Sequence, residues 1–244
     1  MATAKDIQVR PISAKDAALV VKRHHYSRSV YQASQLHFGV FLNGRCEGAM
    51  SFGQSIDKRK MIGVVAGTAW NGFIELNRMA FSEILPRNSE SRALGVALRT
   101  IKKNYPHIDW VISFADGTQC GDGTIYRASG FKLIGVKKNN TLLRMPDGSI
   151  KSDITLNTTP GQSAGQWKKK GAALLAGFQL RYIYFLNPKS IDRLSVPMLP
   201  FSEIEALGAK MYRGIKSAAN IDVDVPEHHS GEGGSIPTAA LQKR

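Results

Sequence analysis

Apolar and polar positions follow two different periods along the first 140 residues, and the switches between them mark the elements. Residues 14–23, A-K-D-A-A-L-V-V-K-R, carry a helical spacing, and Ser13 stands where an N-cap is needed. Two strand-like runs, L-H-F-G-V-F-L (36–42) and R-C-E-G-A-M-S-F-G (45–53), flank Asn43-Gly44, the strongest short-range hairpin signal. Alternation around Glu75, Asn77 and Met79 predicts a strand over F-I-E-L-N-R-M-A-F (73–81). A loop at 82–88 then feeds a helix over 89–103, in which Leu94, Ala97, Leu98 and Ile101 share one face. Lys102-Lys103 fall at the negative end of its dipole. A compact apolar strand (109–114), a glycine-rich turn (115–123), a short helix (124–129) closed by Gly130 and a strand (131–136) follow. The order strand, helix, strand, helix, strand predicts an α/β sheet with parallel crossover connections.

Beyond residue 140 the pattern weakens. The runs 141–145 and 149–155 flank Pro146-Asp147-Gly148 and predict a second hairpin. Residues 157–171 are polar and basic, a loop entering a helix, and L-R-Y-I-Y-F-L (180–186) predicts a final strand. Apolar periodicity fades from Ser217 onward, so one domain is expected over 1–216, with a disordered tail over 217–244. No apolar run approaches the roughly 20 residues of a membrane helix. The N-terminus lacks the apolar stretch of a secretory signal, and Cys46 and Cys120 suggest neither a disulfide scaffold nor a metal clip. A reducing, cytoplasmic setting is expected.

Charge changes the picture most. Thirty-three Lys and Arg against 19 Asp and Glu give +14, spread along the chain through Lys58-Arg59-Lys60, Lys137-Lys138 and Lys168-Lys169-Lys170 among others. Such a surface attracts polyanions by counterion release, so nucleic acid is the expected partner.

Two stretches carry candidate chemistry. R-H-H-Y-S-R-S (23–29) gathers two histidines, a tyrosine, two serines and two arginines in the loop after the first helix. It is readable as a metal site, an acid/base pair, a phosphate grip or a polar loop. His24, His25, His37 and Asp116 could supply metal ligands, although no HxH, HExxH or paired-Cys spacing supports one. The second stretch is Arg92-Ala93-Leu94-Gly95-Val96-Ala97, of the form R-x-x-G-x-A, with Ser91 just ahead. Small residues there let a phosphate approach a helix start, or let the helix pack closely on a sheet.

Strand, phosphate-type helix, strand, short tyrosine-bearing helix and strand together resemble the GNAT acyltransferase superfamily. That resemblance implies acyl-CoA pyrophosphate at the motif of Ser91, Arg92, Gly95 and Ala97, and a general acid at Tyr126. A narrower resemblance rests on H-Y-S-R-S, G-V-F-L-N-G, S-F-G, E-L-N-R-M, N-S-E-S-R-A-L-G-x-A-L-R, I-K-K-N-Y-P, S-F-A-D and G-T-I-Y-R-A-S-G-F. In that order they are similar to the bacteriophage Mom family of DNA adenine-modification enzymes, over about residues 20–136. It implies a GNAT-like fold, a mixed central sheet flanked by helices with a C-terminal extension. It also implies a transferase that adds a carbamoylmethyl (acetamido) group to N6 of adenine in phage DNA, protecting that DNA from host restriction in the host cytoplasm.

By motif match the working residues are His25 and Tyr26, Arg78 of E-L-N-R, Asp116 of S-F-A-D and Tyr126. An exocyclic adenine amine is a poor nucleophile whose proton must leave as the new bond forms, and His25 is the expected base because an ordinary imidazole titrates near working pH. Tyr26 would stack on an extruded base. Asp116 would orient a histidine or accept from the amine. Arg78 would hold a phosphate or donor carboxylate, or simply pair with Glu75 or Asp116. Arg28, Lys58, Arg59 and Lys60 are the expected DNA contacts. The acceptor is double-stranded DNA, no membrane is involved, and a homodimer is left open. The donor is an acyl-CoA or a glycine-derived group of unknown identity, because plain acetyl transfer would give an N-acetyl base. The competing readings are a conventional GNAT N-acetyltransferase of a small-molecule or protein amine, and a DNA-binding module without chemistry.

Overall fold

A computed structural model describes residues 2–25, 28, 30–117, 123–175, 177–206, 211–212 and 215–216. The chain opens with strand β1 (Gln8–Pro11) and helix α1 (Ala14–His24), which Ser13 caps by accepting from the Asp16 amide. Strands β2 (Ser34–Leu42) and β3 (Arg45–Gly53) form the expected hairpin. Asn43 and Gly44 both take positive φ, 50° and 79°, as a two-residue turn matched to the strand twist requires. After the short helix α2 (Lys58–Met61) come β4 (Phe73–Phe81), α3 (Ser89–Asn104), β5 (Trp110–Asp116), α4 (Thr124–Ala128) and β6 (Lys132–Lys138). A small unit follows: β7 (Leu142–Arg144), β8 (Ile150–Ser152), α5 (Asp153–Thr158), α6 (Ala164–Lys169) and β9 (Ala173–Leu174). Strand β10 (Phe178–Phe185), α7 (Ser202–Ala206) and the short pair β11 (Met211–Tyr212) and β12 (Ile215–Lys216) complete the described chain. The expected tail over 217–244 lies outside the described residues.

Seven strands form the main sheet in the order β1-β2-β3-β4-β5-β10-β6. This is a mixed α/β sheet flanked by helices, but among the described residues only β4 and β5 pair in parallel. The expected run of parallel crossovers is therefore corrected. Strand β10 lies between β5 and β6 and is antiparallel to both. Local patterning identifies a strand; it does not say between which neighbours the chain later inserts it.

One face of the sheet packs on α3. Leu94, Ala97, Leu98 and Ile101 are buried there against Phe38, Val40, Met50, Phe52 and Leu76. Each large side chain among them contributes roughly 2 kcal/mol by leaving water. On the other face Ala17, Val20 and Val21 of α1 lie over Ala49 and Ala80, small residues that let the helix approach closely. Further along that face Trp110 stacks on Phe73 with ring centroids 4.3 Å apart.

The sheet is split at its centre. Strands β4 and β5 pair only from Phe73↔Trp110 to Leu76↔Ser113. Across β3, Ser51 opposes Arg78 while Phe52 opposes Leu76, so Asn77 is an extra residue in β4. Such a bulge bends its strand and strengthens its twist. It comes immediately after the last β4–β5 pair, and the two strands form a fork.

Residues 139–175 depart most from expectation. The predicted hairpin is present as β7 and β8, but residues 153–155 begin a helix rather than continuing the strand, because Ser152 accepts from the Thr155 amide and caps α5. The three-stranded sheet β8-β7-β9 and helices α5 and α6 enclose a core of their own: Leu143, Met145, Leu156, Ala164 and Ala172.

Candidate active site

The β4 wall of the fork is polar and largely withdrawn from water. Glu75 is 8% exposed, and burial raises its carboxyl above the ordinary 4.5. Hydrogen bonds from Ser55, Asn77 and the Ile56 amide, with the Arg78 charge, act in the opposite direction. Asn77 accepts from the Ser34 hydroxyl at 3.0 Å and donates to the Gln54 carbonyl at 3.2 Å. The bulge thus brings three polar side chains, Glu75, Asn77 and Arg78, into one network instead of alternating them across the sheet. Arg78 donates to the Asn77 carbonyl at 2.7 Å. In the same row, His37 Nδ1 lies 2.9 Å from Ser51 Oγ, and Ser51 is the cross-strand partner of Arg78.

His25 is the cap of α1, its amide still bonded to the Val21 carbonyl. Burial first, and the Arg78 charge second, pull its imidazole from 6.5 to about 4. This corrects the expectation that it titrates near working pH. His25 is not poised at neutrality; it is neutral throughout that range and weakly basic. A weak neutral base still accepts a proton from an amine that becomes cationic as its new bond forms.

The β5 wall is aromatic. Tyr126 of α4 is 8% exposed, stacked on Tyr182 at 5.0 Å and set edge-on to Phe131 at 5.4 Å. Its hydroxyl lies 2.9 Å from Ser113 Oγ, which is 3.3 Å from the Leu76 carbonyl. Leu76 and Ser113 are the last β4–β5 pair, so the tyrosine hydroxyl is tied to the apex of the fork. Tyr182 packs directly over Gly123, where φ is +72° and an added Cβ would come within 2.6 Å of the Tyr182 hydroxyl. Only glycine serves there. Asp116 ends β5 opposite Gln179, and alternation along the strand puts it on the face of Trp110, Ile112 and Phe114.

Ser91 and Arg92 stand in the first turn of α3. That helix starts from Asn88 in the left-handed region (φ 70°) with no side-chain cap. Gly95 and Ala97 fall further in, within the second and third turns. Ala97 is packed in the core, whereas a Cβ at Gly95 would meet only the Arg99 guanidinium at 3.5 Å. Close packing on the sheet does not account for Gly95.

Tyr26, with Ser27 and Ser29, lies outside the described residues. Arg28, Arg59 and Lys60 are exposed. Lys58 is not a surface cation: it is 8% exposed, donates to Asn71 at 3.3 Å and sits 4.5 Å from the Trp70 ring. Among the described residues no three His, Cys, Asp or Glu side chains gather as a metal cage, and no helix is long and apolar enough to cross a membrane. Sequence reasoning missed Ser113, Asn77 and Glu75 as site residues. Of these only Glu75 left a signal, a charge at a buried position of an alternating strand.

The family model described as the Mom protein family matches residues 6–203. The methylcarbamoylase mom of Escherichia phage Mu is 37% identical over 199 residues, covering 80% of this chain and 81% of that protein. Among solved structures, a GNAT family acetyltransferase from Elizabethkingia anophelis with acetyl-CoA bound is 12% identical, with a TM-score of 0.45 over 74% of this chain and 98% of that one. The ribosomal-protein-S18-alanine N-acetyltransferase from Escherichia coli is 11% identical, with a TM-score of 0.44 over 74% and 94%.

Proposed function

The chain belongs to the Mom protein family, and on that premise we propose that it is a DNA-modifying transferase that adds a carbamoylmethyl group to N6 of adenine. The observation that carries the reading is the fork. A neutral imidazole stands on its β4 side and a fixed tyrosine hydroxyl at its apex, in a chain related to a protein named for this transfer.

Base chemistry and leaving-group chemistry divide between the walls. Adenine leaves the duplex stack to present N6, and Tyr26 stacks on it. The N6 lone pair forms the bond to the donor's electrophilic carbon, His25 takes the proton released from nitrogen, and the leaving group departs with its electron pair. Tyr126 supplies a proton to that group, and Arg78 holds donor charge. Asp116, at the carboxyl end of β5, receives a hydrogen bond from the amine. The donor is acyl-CoA-like or glycine-derived. Its anionic part meets the first turn of α3 at Ser91 and Arg92, where backbone amides and the dipole favour negative charge. The product protects phage DNA from restriction in the host cytoplasm, and Arg28, Arg59 and Lys60 contact the duplex.

Mass spectrometry of nucleosides from DNA of cells expressing the protein tests this. A deoxyadenosine heavier by one carbamoylmethyl group supports the reading, and an N-acetyl base would indicate ordinary acetyl transfer. Unmodified DNA beside abundant folded protein sinks it.

A further inference from the structure

Resting on the reading of duplex DNA as acceptor, we infer that the small unit formed by residues 139–175 is a phosphate-gripping surface that seats the duplex at the mouth of the fork. Its attachment is the first reason. Gln179, at the start of β10, pairs with both Asp116 of β5 and Lys137 of β6. The unit therefore grows from the end of the sheet towards which β4 and β5 part. Asn139 ties its base by donating from its amide to Gly177 and from its side chain to Leu175.

Its independence from the main core is the second. Among the described residues, the buried clusters around the main sheet draw none from 139–175, and the unit has its own core of Leu143, Met145, Leu156, Ala164 and Ala172 with Trp167 packed against it. It adds surface rather than stability to the catalytic sheet.

Its charge is the third. Residues 139–175 hold five cations (Arg144, Lys151, Lys168, Lys169 and Lys170) against Asp147 and Asp153. Both acids are engaged locally: Asp147 accepts from the Ser149 amide and hydroxyl, and Asp153 stands in the first turn of α5. Among the described residues, none of the five cations is in an ion pair. Lys151 and Lys170 lie 5.9 and 5.2 Å from the Trp167 ring, and Lys168 and Lys169, which follow Trp167 in the chain, are exposed. A neutral indole beside two ammonium groups adds no negative charge of its own and leaves theirs available to phosphates.

The test measures binding of the full chain to a short duplex DNA across a range of salt concentrations. Wild type is compared with K151Q/K168Q/K169Q/K170Q and with K102Q/K103Q, at the far end of α3. The fourfold variant should bind at least about tenfold more weakly near 0.1 M salt, its salt slope falling by roughly 0.9 for each phosphate it no longer neutralises. K102Q/K103Q should bind as wild type. If the fourfold variant melts early, K168Q/K169Q, which leaves Trp167 and its neighbours intact, must show the same direction of change. Wild-type affinity and slope in the fourfold variant, equal weakening by the control pair, absence of duplex binding, or stronger competition by an RNA of equal length each overturns the proposal. The chemistry is scored separately. Modified DNA in cells together with unaltered binding by the variant removes the surface and leaves the transferase; unmodified DNA removes the transferase whatever the binding shows.

Discussion

The two walls of the fork solve different problems. Along β4, Glu75 and, within reach of the Arg78 charge, His25 are both held towards their neutral forms by burial, the carboxyl pushed up and the imidazole pulled down to about 4. Along β5, a phenol is held by stacking on Tyr182 and by Ser113. The first wall sets protonation states; the second sets a position. Removing a group from the first should act mainly on chemistry and pH response; in the second, removing the positioned hydroxyl should act on rate and loosening what holds it should act on stability.

The sharpest break is His25→Ala. If the imidazole is the proton acceptor, modification should fall by roughly 10²–10⁴-fold in a folded variant, measured as modified deoxyadenosine per unit protein. In the wild type the acid limb of the rate should lie near pH 4 rather than 6.5, since that is where this imidazole protonates. Tyr126→Phe comes next. It keeps the ring stack, and the loss of a proton donor should cost about a hundredfold in rate, the low end for a general acid, with little change in the melting temperature. A drop in melting without loss of rate would reduce Tyr126 to a packing residue.

Two stability predictions are smaller. The folded His25 binds its proton less readily than an unfolded one, so its contribution is present above pH 6.5 and lost as pH falls towards 4. Glu75 has the opposite slope: its folded carboxyl is raised above 4.5, so stability declines as pH rises through the window above that value. Glu75→Gln should flatten the second limb and His25→Ala the first, read from denaturant melts across pH. Ser113→Ala removes the hydroxyl that links Tyr126 to the last β4–β5 pair and should cost about 1 kcal/mol, on the order of 2–4 °C. No shift would mean the apex is held by packing alone.

Much of this was legible in the sequence, for reasons that particular residues make clear. Ser13, Asn43-Gly44 and the Leu94, Leu98, Ile101 stripe act within a few positions of one another, so local pattern sufficed for α1, the hairpin and α3. The match of short motifs in order brought His25, Arg78 and Tyr126 forward together. Three things were hidden because they depend on distant partners. The register that makes Asn77 an extra residue exists only against β3. The place of β10 depends on where the chain returns after residue 175. Lys58, in a run of three cations, is buried by Trp70 and Asn71, which lie in the next loop.

If the reading is right, the two walls act on one adenine. Nucleoside mass spectrometry should be run side by side on DNA from cells expressing wild type, His25→Ala and Tyr126→Phe, each verified as folded. Wild type should yield N6-carbamoylmethyl deoxyadenosine, His25→Ala none above background, and Tyr126→Phe a reduced amount. Unmodified DNA with wild type, or full modification with both variants, would contradict it.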